Sequence, residues 1–594
     1  MINRFNIVVF GLLISALILL GRLFYLQVEK GEYYKKLSEN NYVRIITINP
    51  PRGRIFDRNG VLIAYDVPYY ELYVLPYMVK KNWPTLKKNL EKYLKLDLPP
   101  DIDEKIKKGF ANKVVLKSKL TDKEIKIIYD NFYRFNGVMI DVVPRRKYTK
   151  YAKYMAHILG YVGYPSKKDL EENPDINPDV LIGKSGVEKI YDKYLRGEFG
   201  VKAVVVDALG RVKKTLYEKK PKVGKDIYLT INAIMQKDAY EEFEKSKQKS
   251  GAVIIVDSKT YEILTLFSYP SFDIQAFSDG LSKKEWKALL SNKYKPLFNK
   301  ALYGLYPPGS IYKIVVATAA LNENIVSPYK KIYSGGYFEI GKWRYRNWNP
   351  AGCGKINIMQ ALEQSCDTYF YQIGIKLGVR RISNYTYMFG IGERLNPLIE
   401  KVKARVPTPE WKKATLGENW FHGDTVNLSI GQGYLAITPF DSTKILVPVV
   451  NNGNVLKPLL LKAYYDSKIH SYIETKPVIL KHIPVRSSVF KYVKKGLYLV
   501  VYGKRGTAKI MRQVPVKNAG KTGTAQVYKR TEKHKKINKW ELQNHAWFID
   551  FFPYKKPRYI ISTFIEHGKS SSNAVKLTHN IVNRLYEENI IDSQ

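Results

Sequence analysis

The sequence predicts a membrane-anchored chain of mixed α and β structure with more than one packed core. Three observations lead there. Ile7–Gly21 contains no charged residue, and the apolar run continues to Val28 with Arg22 as its one charged interruption. Helical and strand-like periodicities both occur, in separate stretches of the chain. Of 594 residues, 45% are hydrophobic and 13% aromatic, enough for several cores and too apolar for a disordered basic tail.

Ile7–Val28 would extend roughly 33 Å as a helix, matching a hydrocarbon core of about 30 Å with Arg22 reaching the interface. Bulky Phe24, Tyr25 and Leu26 stand where a cleaved leader needs small residues, so an anchor is expected. Only Arg4 precedes the span, whereas Arg22, Lys30, Lys35 and Lys36 follow it. That local count opposes export, although long domains translocate largely regardless of it. The segment PPRGRIFDRNGVLIAYD then reads as short β-rich pieces around turns, one of them at Asn59-Gly60. Asn82–Leu96 sets Leu86, Leu90 and Leu94 at helical spacing, and Thr121 with Glu124 forms a capping box ahead of Ile125, Ile128 and Phe132. The acidic, Pro-bearing stretch 172–180 reads as a loop, and 183–200 as a turn, a short helix and a Gly stop. Near residue 225 the character changes: a strand leads into a helix, and GAVIIVDSKTYEILTLFSYP alternates as a hairpin.

A net charge of +44 is compatible with nucleic acid, an anionic polymer, a membrane surface or a solvated lysine-rich exterior. No helix-turn-helix, RNA-recognition or zinc pattern accompanies it, so nucleic acid is not an expected partner. Two cysteines, Cys353 and Cys366, are too few for a disulfide-stapled scaffold. Spacing cannot read their pairing; free, partly buried thiols are expected, and no metal site or cofactor.

Three segments carry polar groups suited to acyl transfer. In YPPGSIYKIVVATAAL (306–321), Ser310 opens an apolar helix and Lys313 lies three residues on, on the same face. A desolvated neutral amine there could serve as base for the hydroxyl. Alone the pattern means little, since Ser246, Ser327 and Ser488 repeat it on surface or loop. In ALEQSCDTYFYQIG (361–374), Ser365 and Asp367 could share a cleft and relay protons, or simply cap a helix. In NAGKTGTAQVYK (518–529), Lys521 supplies positive charge, Thr522 and Thr524 hydroxyls, and Gly523 close approach to a strand edge, where a substrate carboxylate would dock. A phosphate loop is excluded there and at the similar Lys184-Ser185-Gly186, because Pro515 and Pro178 occupy the required glycine positions.

The ordered trio is the specific signal. With RGRIFDRNGVLIA, HILGYVG (157–163), GKSGVEKIYDKYLRG, GDTVNLSIGQGYLAITPF (423–440) and HAWFI (545–549), the chain resembles, over essentially its whole length, a class B penicillin-binding protein of the elongation type. Ser365-Cys366-Asp367 in place of Ser-x-Asn favours that branch.

The resemblance implies an α+β transpeptidase domain, an antiparallel sheet covered by helices, on an elongated β-rich pedestal with one N-terminal transmembrane helix. The corresponding boundaries are 1–28 for cytoplasmic terminus and anchor, 29–225 for the pedestal with a helical head insert near 75–150, and 226–594 for the transpeptidase domain. It implies a body on the outer side of the cytoplasmic membrane, peptidoglycan stem peptides ending in D-Ala-D-Ala as substrate, and β-lactams as inhibitors. By the same resemblance Ser310 is the nucleophile and Lys313 its base. Ser365 and Asp367 assist proton movement, Lys521, Thr522 and Thr524 hold the carboxylate, and the backbone N–H groups of Ser310 and Thr524 form the oxyanion hole. His545 is expected to be a packed structural residue. A polytopic, RodA-like glycosyltransferase of the SEDS family is the implied partner. The alternatives are a membrane scaffold activating that partner, or a β-lactam sensor or β-lactamase.

Overall fold

A computed structural model describes residues 4–33, 43–98, 101–108, 113–174, 176, 180–206, 212–527 and 539–591. The apolar N-terminal sequence forms the helix Arg4–Phe24, continued by a wider turn over Tyr25–Glu29. Phe5–Glu29 is long and apolar enough to cross a membrane, and none of it is buried against protein. A helix is the form that satisfies every backbone group internally in lipid.

Beyond it the chain divides into two compact units, Met1–Gly53 with Asp66–Arg146 and Arg196–Gly224, and Arg54–Tyr65 with Lys147–Leu195 and Lys225–Gln594. In the first unit, Val43–Ile48, Gly200–Val206 and Val212–Lys219 pair as an antiparallel sheet with Gly200–Val206 central. Its helical part has its own core: Trp83–Leu94 buries Trp83, Leu86, Leu90 and Leu94 on one stripe, as the spacing predicts. Thr121 and Glu124 do form the capping box of Asp122–Asp130, where Ile128 is buried. Phe132 departs from the expectation, because the helix has ended and its ring lies exposed in a following 3₁₀ turn. Of the loop expected at 172–180, residues 175 and 177–179 lie outside the described residues.

The second unit is built on a five-stranded antiparallel sheet. In chain order its strands are β1 (Gly251–Asp257), β2 (Ile263–Tyr269), β3 (Ala519–Ala525), β4 (His545–Phe552) and β5 (Tyr559–Ile565), arranged β2-β1-β5-β4-β3. β1 and β2 are the hairpin read from the alternation. One face packs on Ala233–Lys245 and Ser571–Glu587; the other packs on a helical cluster that includes Lys313–Asn322 and Asp367–Leu377. The segment around Asp57 joins this unit. Asp57 accepts from the backbone N–H groups of Asn59 and Val61 at 2.8 Å and of Ala233 at 3.0 Å, while Arg54 grips Asp226 through two side-chain N–H groups. The Lys184-Ser185-Gly186 turn also has a packing role. A side chain on Gly160 would collide with Ser185, and one on Gly186 with Ile158, so these glycines let two backbones touch. Lys184 is ion-paired to Asp169.

Candidate active site

β3 is the edge of the sheet, and the Ser310 turn rests against it. Pro307-Pro308-Gly309 leads into a 3₁₀ turn, Gly309–Tyr312, before the helix proper begins at Lys313. The helix therefore starts three residues later than the sequence predicts, but the tighter turn still stacks residues three apart, so Ser310 and Lys313 share a side. Gly309 has φ of +57° and lies so close to β3 that a side-chain carbon there would sit 2.9 Å from the Thr524 carbonyl oxygen. Its N–H donates to the Gly431 carbonyl at 2.9 Å. Gly523 likewise leaves room for Ile311 and the Pro308 carbonyl. Ile311 and Tyr312 are fully buried whereas Ser310 is only half-buried, so the turn is anchored on both sides of a hydroxyl that reaches solvent.

Lys313 is fully buried. Its Nζ donates to Asp367 Oδ1 at 2.6 Å and to the Ser365 carbonyl at 2.8 Å, with Ser365 Oγ at 3.5 Å. Among the described residues it has no hydrogen bond to Ser310, although the spacing had suggested one. Burial pushes its pKa down, with Asp367 opposing. Ser365 occupies the left-handed region at φ +53°, between Ile358–Glu363 and Asp367–Leu377. That conformation costs a non-glycine residue about 1–3 kcal/mol and persists only where its surroundings over-determine it. The surroundings are visible. Asp367 N–H donates to Asn347 Oδ1 at 2.8 Å, Trp348 N–H to Asp367 Oδ2 at 3.0 Å, and the Trp348 indole to the Gln364 carbonyl at 3.0 Å. Asp367 is therefore no helix cap. The cap position is Cys366, which makes no side-chain capping bond, and both Asp367 oxygens serve the cleft.

The expectation of free thiols is corrected here: Cys353 and Cys366 form a disulfide, with Cα atoms 6.3 Å apart. The chain between them folds back on itself so that both residues are buried, a proximity that a separation in sequence does not reveal.

On β3, Lys521 and Gly523 alternate with Thr522 and Thr524. Lys521 is fully buried, and its Nζ donates to the Thr522 carbonyl at 3.1 Å. Burial, then repulsion from Lys313, drives its pKa well below the lysine range, with Asp367 opposing. Two buried amines thus compete for one carboxylate. The threonine hydroxyls engage other partners: Thr522 Oγ1 meets Thr507 Oγ1 at 2.7 Å, and Thr524 Oγ1 accepts from Ser571 N–H at 3.2 Å. Lys313 contacts Ser365 and Asp367, Lys521 lies within electrostatic range of Lys313 and Asp367, and Ser310 precedes Lys313 by three residues in the same turn. Asn347, Trp348, Thr507 and Gly431 were not singled out; the Gly-Gln-Gly run at 431–433 was the one local sign. His545 pairs across from Ala525, accepts the His567 N–H on Nδ1 at 3.0 Å, and is held down to about 3 by burial and His567. It is a packed, neutral residue.

A half-buried serine one turn ahead of a desolvated lysine, beside the edge strand of an antiparallel sheet, is the arrangement that serine acyl-transfer enzymes use. The penicillin binding protein transpeptidase domain matches residues 251–587, and the penicillin-binding protein dimerisation domain residues 47–229. The chain belongs to the penicillin-binding protein family. It is 33% identical to the peptidoglycan D,D-transpeptidase MrdA of Haemophilus influenzae over 96% of this chain and 90% of that one, and 31% identical to MrdA of Escherichia coli K12 over 98% and 94%. Among solved structures, penicillin-binding protein 2 of Helicobacter pylori in complex with MreC aligns with a TM-score of 0.78 at 26% identity, covering 92% of this chain and all of that one. Pseudomonas aeruginosa penicillin-binding protein 2 in complex with WCK 5153 aligns with a TM-score of 0.67 at 28% identity, covering 92% and 97%.

Proposed function

We propose that this chain is an elongation-type peptidoglycan D,D-transpeptidase, anchored by residues 7–28, that cross-links stem peptides through an acyl-Ser310 intermediate and is a target of β-lactams. The contact of Lys313, three residues beyond Ser310, with Ser365 and Asp367, and the charge interaction of Lys313 and Asp367 with Lys521 on the edge strand β3, carry this reading. The donor peptide lies along β3 with its carboxylate toward Lys521, Thr522 and Thr524, beside Gly523. Ser310 Oγ attacks the penultimate D-Ala carbonyl while its proton passes to neutral Lys313. The backbone N–H groups of Ser310 and Thr524 receive the oxyanion, each such donor being worth roughly 3 kcal/mol. The bond to the terminal D-Ala breaks, and the proton returns through Lys313 and Ser365 to the leaving amine. An amine from a second stem peptide then attacks the ester, forming the cross-link and freeing Ser310.

We assign residues 29–225 to the pedestal, with the head insert near 75–150, and 226–594 to the transpeptidase domain, although 54–65 and 147–195 of the pedestal segment pack within the second compact unit. The Cys353–Cys366 disulfide favours a body in an oxidising compartment outside the cytoplasmic membrane. A RodA-like glycosyltransferase partner is supported by likeness to a peptidoglycan synthase complex that couples polymerisation and crosslinking, with a TM-score of 0.71 at 26% identity. Incubation of the full chain with penicillin should give one covalent adduct, mapped by mass to Ser310 and absent from Ser310→Ala; an adduct that persists in Ser310→Ala overturns the assignment. Rapid release of hydrolysed penicillin would instead identify a β-lactamase.

A further inference from the structure

The Ser365–Asp367 turn has one covalent restraint besides the backbone itself. Cys366, the residue between the two polar groups that face Lys313, is joined to Cys353. Cys353 ends a short stretch whose other bonds converge on the same turn. Asn347 accepts the Asp367 N–H and donates through Nδ2 to Cys353 Sγ at 3.5 Å, and Trp348 donates to both Asp367 and the Gln364 carbonyl. Thr368 Oγ1 adds a bond to the Gly335 carbonyl at 2.9 Å. Trp348, at the rim of this brace, is 61% exposed. The disulfide, by contrast, lies buried beneath it. What the brace maintains is a left-handed serine whose carbonyl and hydroxyl, with the neighbouring carboxylate, fix the position of the Lys313 amine.

We infer that Cys353 and Cys366 are positioning residues for acylation: their disulfide holds the Ser365–Asp367 turn so that Lys313 is aimed for proton transfer from Ser310, and cleaving it slows acylation reversibly. This rests on the acyl-Ser310 reading. Cleavage by a dithiol breaks the S–S bond and leaves two S–H groups, the two electrons and two protons coming from the dithiol, which closes to its own cyclic disulfide. Among the described residues neither cysteine hydrogen-bonds to β3, which would bind the carboxylate, whereas Cys366 is part of the Ser365–Asp367 turn itself. Loss of the disulfide therefore affects the acylation rate constant and spares the preceding non-covalent binding.

The test uses the full chain in detergent and a fluorescent penicillin. Acylation is followed by stopped flow, separating the limiting rate constant from the dissociation constant. One sample carries Cys353→Ala with Cys366→Ala; a second is wild type reduced with dithiothreitol, desalted, and shown by alkylation and mass to hold two thiols. A third is the reduced protein reoxidised. The expected result is a limiting rate constant at least tenfold lower in the first two, a dissociation constant within twofold of wild type, and recovery on reoxidation. An unchanged limiting rate constant in the reduced protein overturns the inference, as does a fall that reoxidation fails to restore. Should the double variant not fold, the reduction and reoxidation samples decide alone. Failure of the untreated wild type to label would reject the acyl-serine reading itself, which is a different outcome.

Discussion

Lys313 and Lys444 are both lysines in the second unit with almost no exposed surface, 0% and 1%, yet their environments act in opposite directions. Lys444 lies in the Asp441–Val450 helix, paired with Asp441 at 2.8 Å and with Glu400, and donates to the Glu393 carbonyl at 3.0 Å. Burial works against its charge, but the two carboxylates outweigh it and its pKa is raised. Lys313 has one carboxylate, and Lys521 lies close enough to compete for it, so burial wins and both amines are depressed. The number of counter-charges separates a lysine that locks a core from one that can exchange a proton. The first unit follows the structural pattern: buried Glu71 is shared by Lys113 at 2.9 Å and Arg145 at 2.6 Å.

The strongest way to break this contrast is to remove each amine. Lys313→Met should lower the penicillin acylation rate constant by roughly 10²–10⁴-fold, the usual worth of general acid–base catalysis. Lys444→Met leaves Glu400 and Asp441 buried without their cation and should cost about 3–5 kcal/mol, read from the urea midpoint, while the folded fraction acylates near the wild-type rate. If the two variants lose the same property, counting counter-charges does not distinguish them.

Lys521 sharpens the comparison through pH. Its folded pKa lies below the unfolded value, so between the two the unfolded chain holds a proton that the folded chain has released. Stability therefore rises with pH across that window and is lost as pH falls. Lys521→Met removes this dependence. The variant should be more stable than wild type by roughly 1–4 kcal/mol at neutral pH, with the advantage narrowing as pH approaches the ordinary lysine value. It should also lose affinity for carboxylate-bearing β-lactams. Chemical denaturation at several pH values checks the first expectation, and penicillin titration the second. A less stable Lys521→Met would mean that Asp367 holds Lys521 as firmly as Glu400 and Asp441 hold Lys444.

The residues proposed as catalytic are legible because they lie in three short motifs whose order is informative, and because each motif sits where a helix starts or a strand forms an edge. The bracing contacts were not legible. Asn347 meets Asp367, Thr507 meets Thr522 and Cys353 meets Cys366 only after the chain has folded back, and none of these pairs has a periodicity to announce it. The amphipathic stripe of Trp83–Leu94 was readable, since Leu86, Leu90 and Leu94 repeat at helical spacing. Phe132 was misread because periodicity continues in the sequence past Asp130, where the helix itself stops.

The smallest expected effect concerns a buried acid with no counter-charge. Asp550 on β4 is fully buried, and neither carboxylate oxygen has a well-formed hydrogen bond among the described residues, the backbone N–H groups of Phe551 and Ala519 being the donors that act on it. Burial raises its pKa well above the aspartate range. It stands opposite Gly520 in the register with β3, and a side chain on Gly520 would press on its Oδ1. Asn518 precedes β3 on the face that Gly520 shares, and its Oδ1 also lacks a partner. Above the ordinary aspartate pKa of about 3.9 the folded chain keeps a proton that the unfolded chain releases, so stability falls as pH rises. Asp550→Asn keeps the shape and carries no charge. The variant should match wild type near pH 4 and exceed it by about 1–3 kcal/mol at pH 8, the usual cost of an unsatisfied buried polar group. An advantage that does not grow with pH would show that Asp550 ionises freely in the folded protein. Lack of counter-charge would then have failed as a predictor at a site where no catalytic task competes with stability.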